Sequence, residues 1–371
     1  MRPLRIVLAA VFFAGASVAG SPASITMGPY VAAVGESGFT VCWETSKKEP
    51  TRLKWGATPE CENSFTSDVS VVRHEVPISG LRPGQVAWYR LEGEGRLWEA
   101  TPVRTAGGER ANTRIAVFGD THSTDGVHTE LVSDILKDDP DLVLHTGDLA
   151  LRPLEGGAGE FFRVEGRLLR SVPLLPAFGN HDGGGSQFVE LFVRPNGGGV
   201  EPYYAVRRGP IAVLALDYQQ SVEADSPQGR WIARTLDAWA ADPGIVFRFV
   251  ILHWRPFDSG SGHGSNLKVR EALVPLFERY GVDVVFSGHD HIFERSTVHG
   301  VRYVVTGGGG GGGGKYGRKR HVPMGASFTE VSAAVPHHCL LEIAGRTLRF
   351  TAREAGTGRL LDEFSLEKDL K

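Results

Sequence analysis

The feature that most constrains the fold of this chain is a set of five short polar groups, each following an apolar run. The groups are Gly119-Asp120-Thr121-His122, Gly147-Asp148, Gly179-Asn180-His181-Asp182, Leu252-His253-Trp254 and Gly288-His289-Asp290-His291. Short apolar runs that end in glycine or polar residues are typical of buried strands. We therefore expect all five groups at the carboxyl edges of strands, where α/β proteins place their sites.

From residue 113 onward, apolar runs alternate with helical segments, which is typical of an α/β domain with helices packed on sheets. The predicted strands are residues 115–118, 142–145, 211–216, 246–252, 282–286 and 303–305. The predicted helices are residues 128–137, 160–170, 229–240 and 267–280. The tail returns to strands at residues 339–343, 347–352 and 360–366. We expect residues 113–371 to form one domain.

Residues 24–106 have a β-only pattern. Phe39, Val41 and Trp43 alternate with Thr40, Cys42 and Glu44, which predicts a strand with its large side chains on one face. Further strands are predicted at residues 51–55, 69–76, 86–91 and 97–104, a spacing typical of a small antiparallel sandwich. The segment Leu81-Arg82-Pro83-Gly84 resembles the corner of a fibronectin type III domain, although Ala87 stands where such corners often carry Tyr. Residues 107–112 are the predicted linker.

The first 22 residues resemble an export signal, because a charged start with Arg2 and Arg5 precedes an apolar stretch that ends in small residues. Cleavage is favoured over anchoring, and an uncleaved anchor is the alternative. We expect an exported protein, periplasmic or secreted, without stable membrane insertion after cleavage. A net charge of -3 provides no basic footprint for nucleic acid. The sequence leaves the oligomeric state open.

The 3 cysteines do not form a disulfide framework, and their spacing contains no CxxC motif that would suggest a thiolate metal site. Cys42 and Cys61 either pair or stay free, while Cys339 has no evident partner. An unbroken glycine run, Gly307–Gly314, leads into the basic segment 315–321. We predict a long mobile loop at residues 307–336. Its charges form either a solvated surface tract or a flexible flap over an anionic substrate.

The polar groups supply enough ligands for a metal centre. The candidate ligands are Asp120, His122, Asp148, Asn180, His253, His289 and His291. All are oxygen or nitrogen donors, and together they are too many for one ion. With one carboxylate shared, they fill two neighbouring ions and leave positions open for solvent and substrate. Two ions about 3.5–4 Å apart are suited to clamping the attacking and leaving oxygens of a phosphoryl transfer.

In order along the chain, the five groups match the DxH, GDxx, GNH[DE], strand-end His and GHxH motifs, so residues 114–306 resemble the calcineurin-like metallophosphoesterases. The resemblance implies an α/β core of two stacked mixed β-sheets flanked by helices. A fibronectin III-like region ahead of such a core further resembles the purple acid phosphatases and their bacterial relatives.

The resemblance also implies roles for individual residues. Asp120, His122 and His291 would hold the first metal ion, and Asn180, His253 and His289 the second, with Asp148 bridging the two. A hydroxide shared by the ions would be the nucleophile. His181 would act as general acid toward the leaving group, and Asp182 would orient His181.

Two departures separate this chain from the purple phosphatases. His122 stands where those enzymes have Gly, and Leu151 stands where they carry a Tyr ligand. Without a phenolate ligand there is no charge transfer from Tyr to ferric iron, so we expect a protein that is not purple. The two metal ions are expected to be Fe, Mn or Zn.

Other polar residues are weaker candidates. His263 lies in a loop ten residues after His253, where related phosphatases carry a substrate-contacting His, and its alternative is a polar loop residue. Arg255 is either a phosphate clamp or part of a surface ion pair. His145 is expected to be buried and hydrogen-bonded, and Asp290 to point away from the metal site. Three further histidines are predicted to be structural: His299, His337 and His338.

We therefore expect metal-dependent hydrolysis of a small-molecule phosphate ester, most simply a monoester. A phosphodiesterase or nucleotidase using the same residues is the alternative within enzymes. An adhesion or scaffold protein with an inactive core is the alternative outside them, and the intact ligand set argues against it.

Overall fold

The computed structural model of the chain describes residues 23–93, 96–108, 112–122, 126–193, 199–260, 262–310 and 325–369. The predicted leader at residues 1–22 and the basic segment at residues 315–321 lie outside the described residues. Among the described helices, none combines the length and apolar character needed to cross a bilayer.

The N-terminal region contains only strands. They are β1 Ile25–Ala32, β2 Gly38–Gly56, β3 Asn63–Ser79, β4 Val86–Gly93, β5 Arg96–Leu97 and β6 Thr101–Arg104. All pair antiparallel in one hydrogen-bonded set built around β2, and they surround an apolar core of their own. The β-only prediction is confirmed. Several short strands were predicted here, but two long ones, β2 and β3, dominate, and the fibronectin III-like sandwich remains a prediction.

The rest of the chain alternates strands and helices. The strands are β7 Thr113–Phe118, β8 Leu142–His145, β9 Leu174–Pro176, β10 Tyr204–Arg208, β11 Ile211–Ala215, β12 Phe247–Leu252, β13 Val284–Ser287, β14 Phe293–Val298, β15 Val301–Thr306, β16 Thr329–Ala333, β17 His337–Ala344, β18 Thr347–Glu354 and β19 Leu360–Glu367. The helices are α1 Gly126–Lys137, α2 Leu154–Leu169, α3 Ser186–Phe188, α4 Pro227–Ala241 and α5 Leu267–Arg279, and Val189–Val193 is a π-helical turn.

Two mixed sheets form this α/β region. One has the strand order β10-β11-β12-β13-β15-β14-β16, and the other has the order β19-β18-β17-β7-β8-β9. Phe249 and Phe286 of the first sheet belong to the same buried cluster as Val117 and Leu341 of the second. The alternate residues of β12, such as Val250, belong to a second cluster with α4 and α5. This period-2 division confirms the predicted stacked sheets flanked by helices.

The N-terminal strands contact the α/β region through polar as well as apolar groups. The Tyr30 hydroxyl donates to the carbonyl oxygen of Leu191 at 2.9 Å, and the Arg73 guanidinium donates to that of Glu190 at 2.7 Å. The Tyr89 hydroxyl donates to the carbonyl oxygen of Arg170 at 2.8 Å. The contacts at Glu190 and Leu191 fix the π-helical turn that follows the Gly179–Asp182 group.

The predicted mobile loop at residues 307–336 is wrong for the two ends that the structure describes. Gly308 and Gly309 are buried, and the Gly309 amide donates to the carbonyl oxygen of Gly119 at 2.8 Å. At the other end, β16 pairs antiparallel with β14. The glycine run therefore begins as a close packing partner of the first polar group, where side chains would not fit.

The three cysteines are free and buried, so Cys42 and Cys61 do not pair. The histidines predicted to be structural have local partners. His338 contacts Asp138 at 2.7 Å, and His299 contacts Glu278 at 2.8 Å. His337 is fully buried, and its ring nitrogens lie 2.8 Å from the carbonyl oxygen of Val335 and 3.1 Å from the Thr306 hydroxyl.

His337 should make the fold less stable in acid. Burial lowers the pKa of His337 to about 4, whereas an unfolded histidine titrates near 6.5. Between these values the unfolded chain binds a proton that the folded chain does not, so stability is lost as the pH falls. The expected contribution is up to about 1.4 kcal/mol per pH unit. Urea unfolding at pH 6.5 and 4.5 should show a smaller loss for His337→Gln than for wild type or the exposed control His299→Gln. An unchanged loss in His337→Gln would contradict this role.

Candidate metal centre

The five polar groups lie where the sequence predicted, at the carboxyl ends of strands. They follow β7, β8 and β9 in one sheet and β12 and β13 in the other. Backbone hydrogen bonds join the resulting loops: the Asp120 amide donates to the carbonyl oxygen of Gly147 at 3.0 Å. The His289 amide donates to the Asp120 carboxylate at 2.9 Å, which ties the two sheets together at this edge.

One ligand cluster contains Asp120, His122 and His291, whose candidate ligand atoms all lie within 4.8 Å of one another. His122 Nε2 and His291 Nε2 are 3.2 Å apart, and His291 Nε2 is 3.6 Å from Asp120 Oδ1. These are the three residues predicted for the first metal ion.

The second cluster contains Asp148, His253 and His289, and Asn180 joins it through its side-chain oxygen. His253 Nε2 lies 2.9 Å from Asn180 Oδ1 and 3.0 Å from His289 Nδ1. His253 Nδ1 lies 2.9 Å from the carbonyl oxygen of Thr146. When His253 is neutral and its Nδ1–H donates to that carbonyl, the lone pair of Nε2 faces the cluster, as metal binding requires.

Asp148 and His181 lie between the two clusters. His122, Asp148 and His181 form a third group of compatible ligand atoms. The His181 ring stacks on that of His122 with centroids 4.8 Å apart, and its Nε2 is 4.0 Å from Asp148 Oδ2. The His181 amide donates to Asp148 Oδ1 at 2.8 Å. The His181 side chain is 42% exposed, so it is open to an incoming ligand while Asp148 is buried.

Burial and close charges perturb the acid–base behaviour of the clusters. Burial raises the pKa of Asp120 well above its usual range. Burial also acts to raise the pKa of Asp148, but the adjacent His253 ring holds that pKa below its usual range. Burial alone would lower the pKa of His253, and the Asp148 carboxylate instead raises it to about 9. Burial and the neighbouring His253 together lower the pKa of His289. Opposed shifts among packed groups are characteristic of functional sites.

Three candidate ligands adopt backbone conformations that side chains disfavour. The φ angles are +58° at Asp120, +57° at Asp148 and +71° at His289. Left-handed conformations are uncommon for residues other than Gly, Asn and Asp, and they concentrate at functional sites. The fold therefore requires a left-handed backbone at three candidate ligands, and Asp and His are among the residues that adopt it most often after Gly and Asn.

The glycines of the motifs allow the loops to approach one another. A Cβ atom at Gly179 would clash with the backbone and carboxylate of Asp148. A Cβ atom at Gly288 would clash with the carboxylate of Asp120. Each glycine thus leaves room for a candidate ligand from a neighbouring loop.

Asp182 does not have the predicted role of orienting His181. Its carboxylate accepts hydrogen bonds from the backbone amides of Asp148 at 3.0 Å, Leu149 at 2.8 Å and Gly179 at 2.8 Å. Both carboxylate oxygens are used in this way. Asp182 therefore joins the Gly147-Asp148 and Gly179-Asn180 loops, and it affects His181 only through the backbone.

Arg255 also differs from the prediction. Its guanidinium is buried, lies 3.0 Å from Asp258 and donates to the carbonyl oxygen of Gly264 at 3.0 and 3.1 Å. The ion pair of Arg255 is thus buried and does not lie on the surface. Because the guanidinium is already bonded to Asp258 and Gly264, it is not placed as a phosphate clamp. These contacts hold the loop that carries His263, whose exposed ring lies 3.9 Å from the ring of His289.

Two predictions about neighbouring residues are consistent with the structure. His145 is fully buried and bonds through its ring to the Thr121 hydroxyl at 2.9 Å and the Gly147 amide at 3.2 Å. The buried Asp290 carboxylate accepts from the His263 amide at 3.4 Å, so it serves the His263 loop.

The sequence reasoning gave no role to two aromatic residues beside the second cluster, Trp254 and the unmentioned Tyr218. The Tyr218 ring is 6.0 Å from the ring of His253 and 5.8 Å from that of Trp254. Both residues lie within three positions of the end of a strand, Tyr218 after β11 and Trp254 after β12. The expectation that residues after buried strands lie at the site would have identified them, had it been applied to aromatic as well as polar residues.

The residues fit two metal ions. The clusters bring carboxylate, imidazole and amide donors to within about 3 Å of each other, at distances where lone pairs repel unless a cation or proton lies between them. The donors are of the kind that Fe, Mn and Zn accept. No thiolate takes part, because the three cysteines lie elsewhere in the described structure.

Comparison with known proteins agrees with this geometry. The sequence model of the calcineurin-like phosphoesterase family matches residues 113–293, the span that carries the five groups. Residues 113–293 form a calcineurin-like phosphoesterase domain. The matched span ends two residues after His291, so the calcineurin-like domain contains every candidate ligand.

Similar proteins extend the likeness beyond this domain. Purple acid phosphatase 15 of Arabidopsis thaliana is 26% identical over 61% of this chain and 50% of its own length. Purple acid phosphatase 1 of Ipomoea batatas is 30% identical over 69% of this chain and 58% of its own length. The chain therefore spans about half the length of these curated relatives.

Solved structures show the same fold. The purple acid phosphatase PPD1 from yellow lupin seeds superposes with a TM-score of 0.73 at 18% identity, covering 92% of this chain and 74% of the lupin chain. The structure of PhoD superposes with a TM-score of 0.70 at 13% identity, covering 93% of this chain and 90% of that chain. Because each superposition covers more than nine-tenths of this chain, the shared fold extends beyond residues 113–371 into the N-terminal β region.

Proposed function

We propose that this protein hydrolyses phosphate monoesters with two metal ions held by its calcineurin-like domain. The observation that supports the proposal most is the pair of ligand clusters on either side of Asp148, with the exposed ring of His181 beside them. We also propose that residues 24–106 and 113–371 are two separate domains. We propose in addition that the protein is exported.

Each proposed ligand set corresponds to one cluster. Asp120, His122 and His291 would hold one ion, Asn180, His253 and His289 the other, and Asp148 both. When bound, such ions supply Lewis acidity, which activates water and neutralises charge on the phosphoryl oxygens. Hydrogen bonds to backbone groups hold the side chains of Asp120, Asp148 and His253 in place before substrate arrives.

His181 is the proposed general acid. Its ring stacks on a ligand ring and is solvent-open, so it can reach the oxygen of a departing alcohol. An imidazole can carry the required proton near neutral pH. The hydrogen bond from the His181 amide to Asp148 fixes the position of the His181 backbone, and so the point from which its side chain extends toward the ligand clusters.

His263 is the proposed contact for a phosphoryl oxygen. It is exposed, and its ring lies over His289 on the side of the second cluster. Arg255 takes part indirectly, because its bonds to the Gly264 carbonyl hold the same loop. This indirect role replaces both alternatives given for Arg255, the phosphate clamp and the surface ion pair.

The proposal is tested by loading the purified protein with Mn, Fe or Zn and comparing p-nitrophenyl phosphate with bis-p-nitrophenyl phosphate. We expect turnover of the monoester to exceed that of the diester. Because Leu151 and His122 replace the Tyr and Gly of the purple enzymes, the iron-loaded protein should lack a visible charge-transfer band. Absence of turnover with every metal would refute the hydrolase, and faster cleavage of the diester would refute the monoester preference.

A further inference from the structure

The half-buried side chains of Tyr218 and Trp254 form an aromatic wall beside the metal centre. The Tyr218 ring stands perpendicular to that of His253, at an interplanar angle of 89° and a centroid distance of 6.0 Å. Trp254 extends the wall, with its ring 5.8 Å from that of Tyr218. The aromatic wall is therefore next to the second ligand cluster.

The loop that carries Tyr218 adjoins the loop that carries His181. Asp217 forms a parallel bridge with Phe178, the residue before Gly179. The Gln219 side chain donates to the carbonyl oxygen of Gly183 at 2.9 Å. The ring of Tyr218 thus lies beside the second ligand cluster, on a loop that adjoins the loop of His181, the proposed acid for the leaving group.

The loop that carries Tyr218 is held by hydrogen bonds of the neighbouring Asp217. The buried Asp217 carboxylate accepts from the Gln219 amide at 2.7 Å, and the Asp217 amide donates to the Gln228 side chain at 2.8 Å. An aromatic ring on a fixed loop loses little conformational freedom when a ligand stacks on it. The aromatic wall is thus preorganised to stack against a planar ligand group.

We propose that the wall binds the base of a nucleoside monophosphate, which makes 5′-nucleotides preferred substrates. The inference rests on the proposed phosphatase function and names its substrate class. In a 5′-nucleotide the sugar separates the base from the phosphate. That separation suits an aromatic surface beside the ligand clusters. In a simple aryl phosphate, by contrast, the ring is attached to the phosphoryl oxygen and would lie at His181.

The test compares AMP with ribose 5-phosphate, which share the same leaving 5′ hydroxyl and differ in the base. We expect kcat/KM for AMP to exceed that for ribose 5-phosphate by about tenfold or more, because stacking of a base on aromatic side chains has an effect of this size. The difference should appear mainly in KM, since stacking does not change with the reaction.

Variants assign the preference to the wall. Tyr218→Leu and Trp254→Leu should each bring the ratio of the two kcat/KM values toward one, whereas Tyr218→Phe should keep it. Tyr280→Leu, at the far end of α5, is the matched control and should keep the wild-type ratio. Circular dichroism checks that each variant is folded.

The outcomes separate the inference from the function on which it rests. Equal kcat/KM values in the wild type, or a ratio unchanged in both leucine variants, would overturn the nucleotide preference while hydrolysis itself stands. If neither compound is hydrolysed with any metal, the phosphatase function falls and the substrate class falls with it.

Discussion

Replacing Asp148 with Asn is expected to lower kcat by about 10³-fold, because a neutral amide cannot supply the negative charge that both clusters share. Asp148 is the carboxylate that belongs to the His253–His289 group and also to the His122–His181 group. The substitution should also reduce the bound metal, measured by elemental analysis, from two ions per chain toward one.

Asp139→Asn is the matched control for this experiment. Asp139 is exposed and also has a left-handed backbone, with φ at +49°, so both variants place Asn in the same type of conformation. Asn accepts that conformation readily. Any difference between the variants therefore reports the lost charge and not the backbone. Two bound ions and full activity in Asp148→Asn would show that the clusters do not share this carboxylate.

Replacing His181 with Gln should lower kcat for an alkyl phosphate by about 10²–10⁴-fold, the usual contribution of a general acid. The loss should be much smaller for p-nitrophenyl phosphate, because p-nitrophenolate is a stable anion that leaves without a proton. Metal content should remain at two ions per chain, since His181 is not among the proposed ligands.

His299→Gln is the control for this change, because His299 is exposed and pairs with Glu278 away from the five loops. An equal loss for both substrates would mean that His181 stabilises charge on the phosphoryl oxygens rather than protonating the leaving group. A loss of metal would instead place His181 among the ligands, as the His122, Asp148 and His181 group permits.

The sequence was sufficient to predict where the polar groups lie, because that information is local. A buried strand needs a short apolar run, and the residue that follows it must lie at the sheet edge. The runs before Asp120, Asp148 and His253 are of this kind, and the structure places all three side chains together. The alternation of strands and helices predicted the α/β class, whereas the stacking of two sheets was implied by the resemblance to the calcineurin-like metallophosphoesterases.

Contacts between loops distant in sequence could not be predicted in this way. Asp182 looked like a partner for the adjacent His181, but three backbone amides from two loops compete for its oxygens. Arg255 looked solvent-facing because it is charged, yet Asp258 and the Gly264 carbonyl make its burial tolerable. The packing of Gly309 against Gly119 likewise depends on where a remote strand ends.

The left-handed backbones of Asp120, Asp148 and His289 bear on how the protein acquires its metal. In small zinc domains the ion organises the chain, and folding waits for it. Here the turns lie at the ends of strands in two packed sheets and are joined by hydrogen bonds between loops, so the fold has contacts of its own that hold them.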